Sequence, residues 1–296
     1  MKTLAYLGAV LLAGCAVTVD ERTVFQPQPP EDSWGDAYDT GIAGERYFAD
    51  PASYPFADHG LTARVEHEVA DSIQTSLVTL AGEDAAPGPR PLVVNCFGNA
   101  SDRWRTGLKY GRKLVPYGDV LLYDYPGYNG APGEPTGAAL EAQADALVAH
   151  VREAQAGRQR IYWGHSLGGF VCAELAARDP DSTALILETT APDVASVVDA
   201  WLPWYAKSFV RPRVADSLTA YDTPRTAAAT GLPVLVIGAA RDDVLPVGLH
   251  RALHERLAAA GADVTYLEFE DASHFDLGDQ PGFDAGVAAF LKAALP

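Results

Sequence analysis

The chain has 296 residues, ample for one α/β domain with a large core, and its 48% hydrophobic content is that of an ordinary globular protein. Lys and Arg total 22 against 39 Asp and Glu, giving a formal net charge of −17. That balance excludes a nucleic-acid binder, which needs a basic patch, and argues against electrostatic docking on anionic lipid. No Cys/His/Asp cluster has metal-ligand spacing and no Gly-rich phosphate loop is present, so neither metal nor cofactor is expected.

In chain order, Met1-Lys2 is a short positive start, and Thr3 to Leu12 is an apolar stretch too short to span a bilayer. It ends in Leu12-Ala13-Gly14-Cys15, which resembles the lipobox of bacterial lipoprotein signal peptides. The resemblance implies that residues 1–14 are removed and that Cys15 is acylated as the mature N-terminus. The protein would then be lipid-anchored in the bacterial cell envelope, on the periplasmic face of the outer membrane or at the cell surface. One acyl chain holds a protein weakly and two hold it stably. Residues 15–60 read as a tether: Val24-Phe25-Gln26-Pro27-Gln28-Pro29-Pro30 is proline-rich and expected to be extended. Tyr47-Phe48 and Tyr54-Pro55-Phe56 would lay its end against the domain, which occupies residues 61–296.

Pro91-Leu92-Val93-Val94-Asn95-Cys96 is a strand signal followed by the turn Phe97-Gly98-Asn99-Ala100. Arg160-Ile161-Tyr162-Trp163 is a second strand. It runs into Gly164-His165-Ser166-Leu167-Gly168 and then a helical run from Phe170 to Ala177. Strand, sharp turn and helix around G-x-S-x-G describe a nucleophile elbow that exposes the Ser166 hydroxyl at a sheet end. After strand Ala184–Glu188 comes an insertion at about 190–231 that reads as a short helical cap. Its Trp201, Trp204 and Tyr205 suggest either a hydrophobic roof for a substrate or plain packing of cap on sheet, with equal weight. Strand Pro233–Gly238 leads to Asp242-Asp243-Val244-Leu245-Pro246, and strand Asp263–Phe269 leads to His274.

An elbow serine needs a neutral imidazole to take its proton and a carboxylate to fix the imidazole tautomer. Only His274 lies beyond the last strand, in the order serine, acid, histidine. Asp242 stands four residues before Pro246, the spacing expected of the acid, whereas Asp243 reads as a cap of the following turn. Asp271 is an outside candidate. Backbone N–H groups of Asn99 and Leu167 would form the oxyanion hole, with Gly98 allowing close approach. Cys96 and Cys172 read as small buried hydrophobes; a disulfide between them is possible in an oxidising compartment.

These motifs resemble the α/β-hydrolase superfamily, and within it the Bem46-like branch whose oxyanion loop reads His-Gly-Asn. Phe97-Gly98-Asn99-Ala100, Asp124-Tyr125-Pro126-Gly127-Tyr128, Gly133-Glu134-Pro135-Thr136 and Gly164-His165-Ser166-Leu167-Gly168-Gly169 carry the likeness, with Asp242, Pro246 and His274. Phe97 stands where that group has histidine, and Pro126 where it has arginine. The resemblance implies a mostly parallel eight-stranded sheet flanked by helices and a Ser166–His274–Asp242 triad acting on carboxylic esters; the candidate substrate contacts are Phe97 and, where the cap roofs a pocket, Trp201, Trp204 and Tyr205. A small-molecule or lipid ester is the expected partner. Thioesterase, depalmitoylase-like and aminopeptidase-like hydrolysis share the same residues, and a non-catalytic envelope-binding lipoprotein is the reading from another class. Nothing in the sequence sets the oligomeric state.

Overall fold

The structure, a computed structural model, describes residues 18–27, 56–70, 73–81, 89–103 and 107–295. Residues 1–17, with Leu12-Ala13-Gly14-Cys15, and residues 28–55, with Tyr47, Phe48 and Tyr54, lie outside the described residues.

The strands are β1 (Thr18–Val19), β2 (Ala63–Ala70), β3 (Ile73–Leu80), β4 (Leu92–Cys96), β5 (Asp119–Tyr123), β6 (Arg160–His165), β7 (Ser182–Glu188), β8 (Arg213–Val214), β9 (Val234–Ala239) and β10 (Val264–Phe269). Eight of them form one sheet in the order β2-β3-β5-β4-β6-β7-β9-β10. β3 pairs antiparallel with β2 and β5, and every other neighbouring pair is parallel. Side chains alternate across a strand, so a parallel strand covered on both faces sends apolar residues into two layers, and a polar exception such as Asn95 of β4 is bonded inside, its Nδ2 donating to the Trp163 carbonyl at 3.1 Å. β4 shows this: Leu92, Val94 and Cys96 enter one core layer and Val93 enters the other. In β6, Tyr162 faces the first layer while Ile161 and Trp163 face the second.

The helices are α1 (Glu21–Val24), α2 (Leu108–Leu114), α3 (Gly137–Ala154), α4 (Leu167–Arg178), α5 (Val194–Trp201), α6 (Asp216–Thr219), α7 (Thr223–Thr230), α8 (Val247–Ala259) and α9 (Phe283–Ala294). α5, β8, α6 and α7 make up the cap between β7 and β9. α5 starts where the Asp193 side chain accepts from the Ser196 N–H at 2.6 Å, a standard cap of an otherwise unbonded amide.

Residues 18–27 depart from the extended tether expected of them. Asp20 caps the short helix α1, β1 pairs parallel with β8, and Val19 and Phe25 are buried in the core. Two apolar side chains flanking a capped turn give this segment enough area to bury, and the prolines that suggested extension begin only at Pro27. The two inner cysteines are buried as expected, and they are joined: Cys96 at the end of β4 is disulfide-bonded to Cys172 on α4.

Candidate active site

Parallel strands of one sheet end on a common edge, and β4, β6, β7, β9 and the loop after β10 deliver the candidate residues there. Ser166 follows β6 with φ 55° and ψ −121°, a region that a residue bearing a Cβ rarely occupies. Three glycines make the strained turn possible. A Cβ on Gly164 would overlap the Gly168 carbonyl, one on Gly168 would overlap the Cys96 carbonyl, and one on Gly169 would overlap Thr190. The turn is also pinned from outside: the Ser166 N–H donates to the Glu188 carbonyl at 2.9 Å, and Thr190 Oγ1 donates to the Ser166 carbonyl at 2.6 Å.

His274 Nδ1–H donates to Asp242 Oδ2 at 2.6 Å, which leaves Nε2 as the basic nitrogen. Asp242 Oδ1 accepts from the N–H groups of Val244 at 2.9 Å and Leu245 at 2.7 Å. The turn-capping duty assigned by sequence to Asp243 therefore belongs to Asp242, whose second oxygen still reaches the imidazole; Asp243 is exposed. Asp271 pairs instead with Arg241. Burial alone would raise the Asp242 carboxyl; the His274 ring, the Leu245 N–H and His250 outweigh it and hold the group below the usual carboxylate range.

His165, the variable residue of the elbow, is buried and works between the two halves of the site. Its Nε2–H donates to the His274 carbonyl at 3.0 Å, and its ring centroid lies 4.8 Å from that of His274. The backbone carrying the candidate base is thereby tied to the residue preceding the candidate nucleophile. Burial, then the neighbouring His274, drive the His165 pKa down to about 3, so the ring is neutral. Below it Glu188 is fully enclosed, accepting from Lys113 Nζ at 2.6 Å and Trp163 Nε1 at 2.8 Å.

The loop Phe97-Gly98-Asn99-Ala100, where the oxyanion donor Asn99 is expected, is held from several sides. Gly98 packs on the elbow, where a Cβ would come within 3.4 Å of Ser166 Cβ. The Tyr125 hydroxyl donates to the Phe97 carbonyl at 2.8 Å. Asn99 is clasped by the N-terminal segment: its Oδ1 accepts from the Gln26 N–H at 2.9 Å and from the Tyr128 hydroxyl at 2.9 Å, and its Nδ2 donates to the Val24 carbonyl. The Leu167 N–H stands in the first turn of α4, where helix amides have no intrahelical partner. The second wall of this loop is an ion pair, Arg103 Nε to Asp124 Oδ2 at 2.6 Å, buried on both sides.

The expected substrate contacts fare differently. Phe97 is 1% exposed and sits in the core layer with Leu108 and Leu122, so its side chain supports the site from below rather than lining it. Trp201 is anchored on the acid loop by its Nε1–H to the Val244 carbonyl at 2.7 Å, yet its ring is half-exposed. Trp204 and Tyr205 face solvent instead of roofing a pocket or packing on the sheet. A cap helix that ends at Trp201 and turns at Pro203 directs the following aromatics outward.

The sequence leaves one contributor open, the Cys96–Cys172 disulfide, and gives no sign of the Asn99 clasp or the Arg103–Asp124 pair; all three need sheet order to be seen. A fourth contributor is His250, buried on α8, whose Nε2 faces Asp242 Oδ2 at 3.4 Å while Nδ1 accepts from the Ala239 N–H; its position one turn after Pro246 was the available signal. Among the described residues no group of three or more His, Cys, Asp or Glu side chains is placed to hold a metal ion, and no helix is long and apolar enough to cross a membrane.

This architecture is the alpha/beta hydrolase fold, and residues 92–221 match the model of the family of that description. An uncharacterized protein of Mycobacterium tuberculosis is 34% identical over 181 residues, covering 60% of this chain and 59% of that protein. The lysophosphatidylserine lipase ABHD12 of Danio rerio is 25% identical over 242 residues, 72% of this chain and 61% of its own length. The chain thus spans about three-fifths of these curated relatives. Among solved structures, the Pyrococcus furiosus esterase Pf2001 is similar with a TM-score of 0.59 at 16% identity, covering 82% of this chain and 94% of that one.

Proposed function

We propose that this protein is a serine hydrolase that cleaves carboxylic esters through an acyl-enzyme on Ser166. The observation that carries the reading is the strained Ser166 elbow on the same sheet edge as the His274–Asp242 pair. His274 Nε2 takes the hydroxyl proton as Ser166 Oγ attacks the ester carbonyl, and returns it to the departing alkoxide. Asp242 orients the ring and stabilises the imidazolium. The N–H groups of Asn99 and Leu167 bind the oxyanion, a contribution of about 3 kcal/mol for each such donor. Water then attacks the acyl-enzyme with His274 again as base.

A lipid-like ester is the favoured substrate, in keeping with the lipase and esterase names of the relatives and with the exposed aromatic rim. Leu12-Ala13-Gly14-Cys15 supports attachment to the cell envelope through an acylated Cys15, with residues 1–14 as the signal. The test is hydrolysis of matched oxyesters and thioesters over a range of acyl lengths, with Ser166→Ala as the blank. Serine-dependent oxyester turnover is expected; a clear preference for thioesters would reassign the chain as a thioesterase. Turnover equal to the blank on both, with serine-dependent release of an amide-linked acyl group, would make it peptidase-like.

A further inference from the structure

We propose that the cap face formed by Trp201, Trp204, Tyr205 and Phe209 is a membrane-docking surface, which sets the mouth of the candidate active site on a lipid bilayer. Its fold is specific: Leu202 and Ala206 turn inward and are buried, while Trp204 and Phe209 stand 83% and 89% exposed. A face that kept these aromatics for packing would bury them; here the inward anchors are small and the large rings point to water. The patch adjoins the chemistry on two sides. Trp201 is bonded to the loop that carries Asp242, and the exposed Phe275 follows His274 with its ring centroid 4.8 Å from the imidazole. Trp and Tyr rings favour the headgroup level of a bilayer, where an apolar body and a polar edge are both satisfied.

Charge distinguishes this face from the rest of the chain. From residue 200 to residue 215 there is no Asp or Glu, while Lys207, Arg211 and Arg213 are present and exposed. Asp199 bonds Lys207 at 2.7 Å and Asp216 lies 3.7 Å from Arg213 at the two ends, so the face is close to neutral with a cationic centre at Arg211. On a chain of net charge −17, this segment can approach an anionic surface without repulsion from its own carboxylates. The overall charge argues against electrostatic docking of the chain as a whole; at this face the local repulsion is absent.

Chain geometry supplies an independent argument. Thr18–Val19 pairs with Arg213–Val214, so the N-terminal segment enters the fold beside this face. Cys15 is three residues before Thr18, hence within about 11 Å of it along any path. Where Cys15 is acylated, a point that rests on the reading above, the anchor and the aromatic face meet the same bilayer.

The experiment uses the chain from residue 16, which keeps every element described, as the Ser166→Ala form, so that binding is read whether or not esters are cleaved. Its affinity is measured by co-sedimentation with vesicles of phosphatidylcholine alone and of phosphatidylcholine mixed with phosphatidylglycerol. Binding to both is expected, tighter to the mixture. Phe209→Ser should weaken it about tenfold, and Arg211→Glu about fivefold on the mixed vesicles only. With Ser166 intact, neither change should alter turnover of a short soluble ester. Failure of the parent chain to bind, or binding indifferent to both substitutions, overturns the proposal. So does a dimer that Phe209→Ser dissociates without vesicle binding, which would make the face a contact between copies. A fall in melting temperature with Phe209→Ser and no vesicle binding would mean that the ring is packed within the fold and would overturn the proposal likewise.

Discussion

The elbow and the cap lie on the same edge of the molecule and obey opposite rules. At the elbow, Gly164, Gly168 and Gly169 each exclude even a methyl group, and Ser166 holds a disfavoured backbone conformation because its neighbours leave no alternative. At the cap, the rings of Trp204, Tyr205 and Phe209 stand in water, and Trp201 beside them is half-exposed and held by its bond to the Val244 carbonyl. A site that must aim one hydroxyl is specified by what cannot be added. A surface that meets a deformable partner is specified by what is displayed.

The comparison breaks first at the chemistry. Ser166→Ala and His274→Ala should each lower ester turnover roughly 10⁴-fold or more while the far-UV circular dichroism stays that of the parent. Asp242→Asn should be nearly as severe and Asp243→Asn almost silent, because only Asp242 reaches His274 Nδ1. Steady-state kinetics of the four variants checks this, and equal losses at the two aspartates would remove Asp242 from its role. Next comes the disulfide that joins the end of β4 to the elbow helix α4. Replacing Cys96 and Cys172 together by Ala should cost about 2–5 kcal/mol in urea unfolding, since the bridge closes a separation of 76 residues. An unchanged midpoint would show that the elbow needs no staple.

What could be read from the sequence follows the same division. Strands buried on both faces stand out by their apolar runs, unbroken in Val234–Ala239 and interrupted only by Asn95 in Leu92–Cys96. The elbow is legible because its glycines are enforced by contact at short range. Asp242 and Asp243 could be ranked by their spacing to Pro246, yet the double duty of Asp242 needed the two N–H groups to be seen in space. Thr18–Pro27 misled because prolines just downstream dominate its composition, while the buried pair Val19 and Phe25 is a weak signal against them. The Cys96–Cys172 bond depends on β4 lying next to β6, which residue spacing does not encode. Whether Trp204 faces in or out depends on the turn at Pro203, and hydrophobicity alone carries no direction.

A subtler contrast concerns the two buried histidines that flank the His274–Asp242 pair. His165 is held down to about 3 and His250 to about 4, in both cases chiefly by burial. Their folded values lie below the unfolded value near 6.5, so the unfolded chain binds the extra protons. Stability from this source is complete above that unfolded value and is lost as pH falls toward the folded values. Between pH 7 and pH 5 each histidine should remove about 2 kcal/mol, before Asp242 and Glu188, held low in the fold, begin to add their own losses. Urea titrations at the two pH values check this. His250→Asn should cut the pH-dependent part by about half, whatever its own effect at pH 7. An unchanged pH dependence would mean that His250 charges readily in the fold.

The smallest effect is expected where the exposed surface is greatest. Phe209→Ser removes a large ring that is 89% exposed, so neither a cavity nor an unsatisfied partner results, and urea unfolding should change by less than about 0.5 kcal/mol. Gly168→Ala adds one carbon at the elbow and should cost about 3 kcal/mol, because the new Cβ meets the Cys96 carbonyl backbone rather than a side chain that can turn away. Measured side by side, the two substitutions decide whether the asymmetry is real. If deleting the ring destabilises the fold as much as adding the methyl, the cap aromatics are packed in solution, and their display is not what selects them.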